Sequence, residues 1–483
     1  MKIAFFVSEA IPYAKTGGLA DVAGTLPHVL SRQGSDVRVF MPLYREVRRK
    51  GIPLLKKADR VSFDWGGREE TFALWESLEG GAPVYFIDKP ALFDRDGLYG
   101  PAAGDYPDNG QRFAFFSRAA LAALKAIDFA PDVIHVHDWQ ASIALAYLKF
   151  ACADDPFFRT TRTLATIHNL AYQGLFDKSI LAEIGLPETL FHVDELEFFG
   201  KINFLKAGIL YSTALCTVSH RYSLEIQTPE YGCGLDGLLR RRSDSLAGIL
   251  NGVDYTAWDP ATDRGLPANF APGRLQGKEV CKKTVLADFG LPTDRLDLPL
   301  VGMVSRLAEQ KGLDLVVEAM GSLFSQGLRL VVLGTGEAEI QRALEAARLR
   351  FPSFFGLKIG FDETLAHKIY AGSDMFLIPS RYEPCGLTQM YSLKYGTVPV
   401  VRATGGLDDS IREFDLAEGL GNGFKFADYT AAALLGAVKK AVRIYAQKPL
   451  WLKAVQNAMS SDFSWERSAQ EYGLLYRSLT LGR

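Results

Sequence analysis

The chain has 483 residues, 54 basic and 56 acidic side chains, a net charge of −2 and 48% hydrophobic residues. That length predicts two to three domains, each able to bury a sizeable core. The near-neutral balance supplies no basic field for nucleic acid or an anionic membrane, and no run of 18 apolar residues offers a membrane span.

The first apolar stretch, Ile3–Val7, reads as a strand and leads through Lys15-Thr16-Gly17-Gly18-Leu19-Ala20-Asp21-Val22 into a helix, Leu19–Arg32. A glycine pair there lets a ligand reach the backbone, the helix N-terminus offers unpaired N–H groups, and Lys15 adds a full positive charge. The run suits a diphosphate or the sugar attached to one; a purely structural β–α turn is the other reading. Strands follow at Asp36–Met41 and Val84–Ile87, then a long polar loop carrying Tyr99 and Asn109, which is a lid, an acceptor-binding loop or a surface excursion. Val133–Val136 ends at His137-Asp138-Trp139, and Thr163–Ile167 ends at His168-Asn169. His135, His137 and His168 thus fall at strand ends, where a lone histidine is usually structural but several polar groups together favour function. No HxxxH helix motif supports a metal.

After Leu215–Val218 a turn signal, Asn251-Gly252-Val253-Asp254, and a Pro/Gly/Asp-rich stretch mark a boundary. A helix over Lys278–Phe289 and a second strand series follow: Leu300–Val304, Leu328–Leu333, Leu357–Gly360, Met375–Ile378 and Val398–Val401. Arg306 and Lys311 follow the first of these. Two cations there suit a pyrophosphate leaving group, or are unrelated surface residues. Met375–Ile378 leads to Glu383-Pro384-Cys385-Gly386-Leu387-Thr388-Gln389, where a helix starts near Gly386. The amides of Leu387 and Thr388 are placed to hold phosphate oxygens, and Glu383 to accept from sugar hydroxyls or to satisfy the helix dipole. Cys385 is a reactive thiol or a packed spectator. Leu333-Gly334-Thr335-Gly336 lacks the third glycine of a dinucleotide fingerprint, and no P-loop occurs. The tail, Phe463–Leu481, reads as a helix with an aromatic stripe.

This rhythm predicts an α/β protein with two open parallel sheets, in domains of about 1–250 and 251–460 with a helical tail over 461–483. Ligands are expected beyond the strand C-termini, in a cleft between two facing sheets. Five cysteines (Cys152, Cys216, Cys233, Cys281, Cys385) are odd in number and widely spaced, without a CxxC. They argue against a disulfide framework and a thiolate zinc site. With neither a signal peptide nor a transit peptide pattern, a cytoplasmic enzyme is expected.

The ordered set Lys15–Asp21, His137-Asp138-Trp139, His168-Asn169, Phe204–Gly208, Asn251–Asp254, Arg306, Lys311, Glu383–Gln389 and Thr404–Leu407 resembles bacterial glycogen synthases and plant starch synthases. The resemblance implies the GT-B architecture, with the last helices crossing back to the first domain. It implies retaining transfer of glucose from ADP-glucose to the non-reducing end of an α-1,4-glucan such as glycogen, with no metal or pyridoxal cofactor. Lys15, Gly17, Gly18, Arg306 and Lys311 would grip the diphosphate, helped by Cys385, Gly386, Leu387 and Thr388. Glu383 would hold glucose hydroxyls, and His168 would lie against the sugar with its carbonyl facing the reacting carbon. Asp138, Asp21, Tyr99, Asn109, Asn169 and Asn251 would line or position donor and acceptor, and domain closure on donor binding is expected. Tyr391 stands where many related GT-B enzymes carry a second, ribose-binding glutamate. The rival expectations are a UDP-glucose-using transferase and a non-hydrolysing sugar-nucleotide epimerase on the same fold.

Overall fold

The strand–helix rhythm resolves, in a computed structural model describing residues 1–79, 81–101 and 104–481, into two α/β units. The first holds residues 1–218 and 223–249 together with the C-terminal segment from Trp465. The second holds 219–222 and 250–464.

The first unit is built on a nine-stranded sheet. Starting from one edge, its order is Leu246–Gly248, Ala214–Thr217, Arg162–Ile167, Val133–His137, Lys2–Phe6, Asp36–Pro42, Val84–Asp88, Glu69–Ser77 and Leu55–Asp64. The strands through Val84–Asp88 are parallel, and Ile3 to Phe6 are wholly buried, as a sheet covered on both faces requires. The helix Gly18–Arg32 buries Leu19, Ala20, Val22, Ala23, Leu26, Val29 and Leu30, an apolar stripe at three- and four-residue spacing. The expected all-parallel sheet is corrected at one edge, where Leu55–Asp64 and Glu69–Ser77 form an antiparallel pair. Leu55–Asp64 is mostly exposed and charged and carries register shifts, so it has no Val/Ile/Phe run to announce it.

Chain order reverses beside Lys2–Phe6, whose neighbours are Asp36–Pro42 and Val133–His137. The loops leaving Lys2–Phe6 and Val133–His137 therefore diverge at a topological switch point. His135, expected at a strand end, lies inside the strand. It is buried, with Nδ1 hydrogen-bonded to the Tyr476 hydroxyl at 2.8 Å and Nε2 to Thr166 at 2.6 Å. Its role is to seat the C-terminal helix, Trp465–Thr480, which buries Trp465, Ala469, Tyr472 and Tyr476 in the first unit.

A small antiparallel sheet, Leu175–Phe176, Lys201–Asn203 and Glu197–Phe198, projects from the chain after His168. At its hairpin tip Phe199 adopts φ 49° and is 84% exposed. A left-handed backbone costs a residue with a Cβ about 1 kcal/mol relative to glycine. Phe199→Gly is therefore expected to raise unfolding stability by about 1 kcal/mol in urea titration, less the extra chain entropy of glycine.

The second unit carries a six-stranded parallel sheet ordered Phe355–Ile359, Arg329–Gly334, Leu300–Val304, Met375–Ile378, Val398–Arg402, Phe424–Phe426. Its switch point lies between Leu300–Val304 and Met375–Ile378. The loops carrying Arg306–Lys311 and Ser380–Thr388 leave those two strands. Among the described residues no helix is long and apolar enough to cross a membrane.

Candidate functional site

Each unit carries a group of polar residues at its own switch point. In the first unit the group is organised by Glu9, which the sequence reading passed over. Its buried carboxylate accepts from the Thr16 amide, from Thr16 Oγ1 at 2.7 Å and from the Gly17 amide. Burial pushes the Glu9 carboxyl up against those bonds, and Asp21 adds like charge. The Gly17 amide is thus spent on the protein itself, and a ligand would be left the groups beyond it. A Cβ on Gly18 would meet nothing within 4 Å, so no packing reason demands glycine there. Lys15 is exposed and paired through Nζ to Asp21 Oδ1 at 2.7 Å.

Tyr99 and Asn109 are tied into their own loop. The Tyr99 hydroxyl bonds Ser8 at 2.8 Å, and Asn109 donates to the Tyr99 carbonyl and accepts from Arg112. The structure thus brings Tyr99 beside the Glu9 strand end and gives both sides of the Asn109 amide to structural bonds.

Asp138 opens the short helix Asp138–Ser142 with φ 54°. Its Oδ1 accepts from the His168 amide at 2.7 Å, and the carboxylate also takes the Asn169 amide. In a trans peptide N–H and C=O point oppositely. Binding the Asn169 N–H therefore aims the carbonyl of His168, in the same peptide, away from Asp138. Burial raises the Asp138 carboxyl to about 7, against the pull of the two amides. Asn169 Oδ1 accepts from the Ala171 amide, closing the turn after His168. The His168 ring is bonded through Nε2 to His137 Nδ1 at 2.9 Å, and burial lowers its pKa to about 3, so it is neutral.

In the second unit Lys311 Nζ donates to Glu383 Oε2 at 2.6 Å, and Ser380 Oγ donates to the same oxygen at 2.9 Å. Both members of the pair are largely buried, with 17% and 11% of their side chains exposed. Arg306, exposed in the loop that carries Lys311, donates to Gln310 at 3.2 Å. The Glu383 loop is locked from two sides. The Gly406 amide reaches the Glu383 and Pro384 carbonyls, and Gln389 donates to the Cys385 and Gly386 carbonyls.

Gly405 has φ 45°, and a Cβ there would lie 1.9 Å from the Glu383 carbonyl oxygen. Gly405→Ala is accordingly expected to cost about 3 kcal/mol or more, read as a loss of Tm and of soluble yield. The helix expected near Gly386 begins at Thr388, because Gly386 takes φ 70° and Leu387 caps the turn. Leu387 and Thr388 are half-exposed at that first turn. Cys385 is the packed spectator of its two readings: it is buried, bonded by the Asn251 amide, and its thiol is pushed up to about 12. Asn251 is itself buried, and its Oδ1 has no partner. The Gly-x-Gly turn at 334–336 is explained by packing: Cβ atoms on Gly334 and Gly336 would sit 2.0 and 2.3 Å from the carbonyl oxygens of Ser305 and Leu307. Those glycines brace the Arg306 loop. Among the described residues no His/Cys/Asp/Glu group of three or more gathers as a metal site.

Residues 2–241 match the family model for the starch synthase catalytic domain, and residues 292–454 match glycosyl transferases group 1. The chain is 48% identical to a glycogen synthase of Anaeromyxobacter dehalogenans (strain 2CP-C), over 99% of this chain and 100% of that one. The chain belongs to the glycogen synthase family. A second glycogen synthase, from Koribacter versatilis (strain Ellin345), is 46% identical over 99% of this chain and 98% of its own. Among solved structures the chain is similar to the catalytic domain of starch synthase IV from Arabidopsis thaliana bound to ADP and acarbose. That match has a TM-score of 0.89 and 35% identity, over 99% of each chain. The likeness to sucrose-phosphate synthase from Thermosynechococcus elongatus, with a TM-score of 0.61 and 17% identity, shows the fold alone. As a member of the glycogen synthase family, the chain has its two Rossmann-like units in the GT-B pattern, with the last helix returning to the first unit.

Proposed function

We propose that this chain is a retaining glucosyltransferase that moves glucose from ADP-glucose to the non-reducing end of an α-1,4-glucan and releases ADP. The observation that carries the reading is the Lys311–Glu383 pair at the switch point of the second unit, with Arg306 in the same loop as Lys311. Family membership supports it, as does the ADP held by the starch synthase IV structure.

Breaking the anomeric bond puts negative charge on the leaving diphosphate and positive charge on the sugar carbon. Arg306 and Lys311 stabilise the first, more strongly in the transition state than in the ground state. Glu383, held by Lys311 and Ser380, accepts from glucose hydroxyls. The first half-site supplies the other needs: Lys15 and Gly18 toward the diphosphate, and His168 toward the sugar. The His168 carbonyl, aimed by Asp138, faces the electron-poor carbon. The charge on the leaving group is met by these side chains, so the reading calls on no metal and no pyridoxal group. A same-face departure and attack, with the departing phosphate as base, is the route to retention in this reading.

The test is ADP release from ADP-glucose with and without glycogen, with UDP-glucose run in parallel. Glycogen-dependent ADP release with glucose entering polymer is expected. Faster turnover of UDP-glucose would replace the donor assignment. Release of neither nucleotide by the folded chain would turn the reading toward the epimerase alternative, which extends no glucan.

A further inference from the structure

His137 has no place in the proposed reaction, yet it is the residue bonded to the His168 ring. It is wholly buried at the end of its strand, with its ring stacked on Phe5 at 5.2 Å and lying 4.0 Å from that of His135. These rings fix its plane, and its Nδ1 meets His168 Nε2 at 2.9 Å. Burial keeps both imidazoles neutral, so each carries one ring proton, and one nitrogen of the contact must donate while the other accepts. The two arrangements differ at the far side of His137, whose Nε2 is buried without a hydrogen-bond partner. If His168 donated, His137 would carry its proton on that orphaned Nε2. If His137 donates from Nδ1, the orphan is a bare lone pair instead. A buried unpaired N–H is the rarer and costlier of the two. The second arrangement leaves His168 with its proton on Nδ1, the nitrogen that the His137 contact does not cover.

We infer that His137 is a positioning residue that locks His168 as its Nδ1–H tautomer, so that the half-buried ring presents a hydrogen-bond donor to the bound sugar. The sugar as recipient rests on the function proposed above; the tautomer does not. Asp138 aims the backbone of His168, and His137, its neighbour in sequence, orients the ring and sets its tautomer.

The experiment is a long-range 1H–15N correlation spectrum of histidine-labelled full-length protein, its seven histidines assigned by single substitutions, combined with kinetics of His137→Leu and His137→Asn. The wild-type spectrum is expected to show His168 protonated at Nδ1 and bare at Nε2. His137→Leu is expected to lose the lock, giving His168 as a mixture of tautomers. With Tm used to check folding, its kcat/KM for glucosyl transfer should fall roughly 10- to 100-fold. Asn places an amide N–H near the position of Nδ1, so His137→Asn should recover most of that loss and restore the Nδ1–H signal of His168. A His168 protonated at Nε2 in the wild type overturns the inference, whether or not either variant folds. So does a folded His137→Leu with wild-type kcat/KM. A wild-type chain that transfers no glucose sinks the proposed function but leaves the tautomer to be decided by the spectrum.

Discussion

Lys311→Ala and Glu383→Ala should each lose turnover by roughly two to four orders of magnitude while remaining folded. Lys311 Nζ and Glu383 Oε2 are 2.6 Å apart, and Ser380 bonds the same oxygen. On the proposed reading, removing Lys311 takes a cation from the leaving group, and it frees the carboxylate that Lys311 held. On the same reading, removing Glu383 takes the acceptor for the sugar hydroxyls, and it frees the cation. Each variant leaves a charge short of its partner in a site that is mostly buried, which predicts a lower Tm as well. Glu383→Gln separates the two effects. It keeps the shape and a hydrogen-bond acceptor, so Tm should recover further than kcat. ADP release at saturating donor, with Tm measured alongside, is the check. Near-normal kcat in both alanine variants would remove this pair from the catalytic machinery.

The second large effect concerns pH and Asp138. Its carboxyl titrates at about 7 in the folded chain against an ordinary value of 3.8. The ionised form accepts both the His168 and Asn169 amides; a proton puts an O–H donor among those donors and loosens the turn that aims the His168 carbonyl. If the ionised form is the active one, kcat/KM rises about tenfold between pH 6 and pH 8, the range over which such a group goes from mostly protonated to mostly ionised. Stability runs the other way. Between 3.8 and about 7 the folded chain holds a proton that the unfolded chain has released, so this residue's contribution falls as pH rises. Asp138→Asn should abolish the rising limb and lower kcat/KM at pH 8 about a hundredfold, because one amide then faces an NH2 group. A rising limb unchanged in Asp138→Asn would assign it to another group.

The residues that the sequence made legible are those that follow a buried strand. Lys15, Asp138, His168, Arg306, Lys311 and Glu383 all come after short Val/Ile/Phe-rich runs, and a parallel sheet sends every such loop to one edge. The residues that were missed act through space. Glu9 holds Thr16 and Gly17 across seven and eight positions with no periodic signature, Ser380 lies inside the strand-to-loop turn, and Gln389 looks like any helix polar residue until its amide is seen clamping two carbonyls. Among the histidines, sequence position alone treated His135, His137 and His168 alike. The period of two in a strand puts His135 and His137 on one face, and their different neighbours separate them: the C-terminal helix gives His135 to Tyr476, and the turn after the next strand gives His137 to His168.

What the sequence by itself determined is the α/β rhythm, the family, and the loops that follow the buried strands, because burial periodicity and turn residues are local properties of the chain. What only the tertiary structure decided is which partners those loops find. The antiparallel edge at 55–77 and the spending of the Gly17 amide on Glu9 arise between neighbouring segments that carry no periodic signal, and the bracing role of Gly334 and Gly336 and the packing of Cys385 arise from contacts between segments distant in sequence. Such contacts exist only once the sheets have set strand order, since it is the order of strands, and not the order of residues, that brings one loop against another.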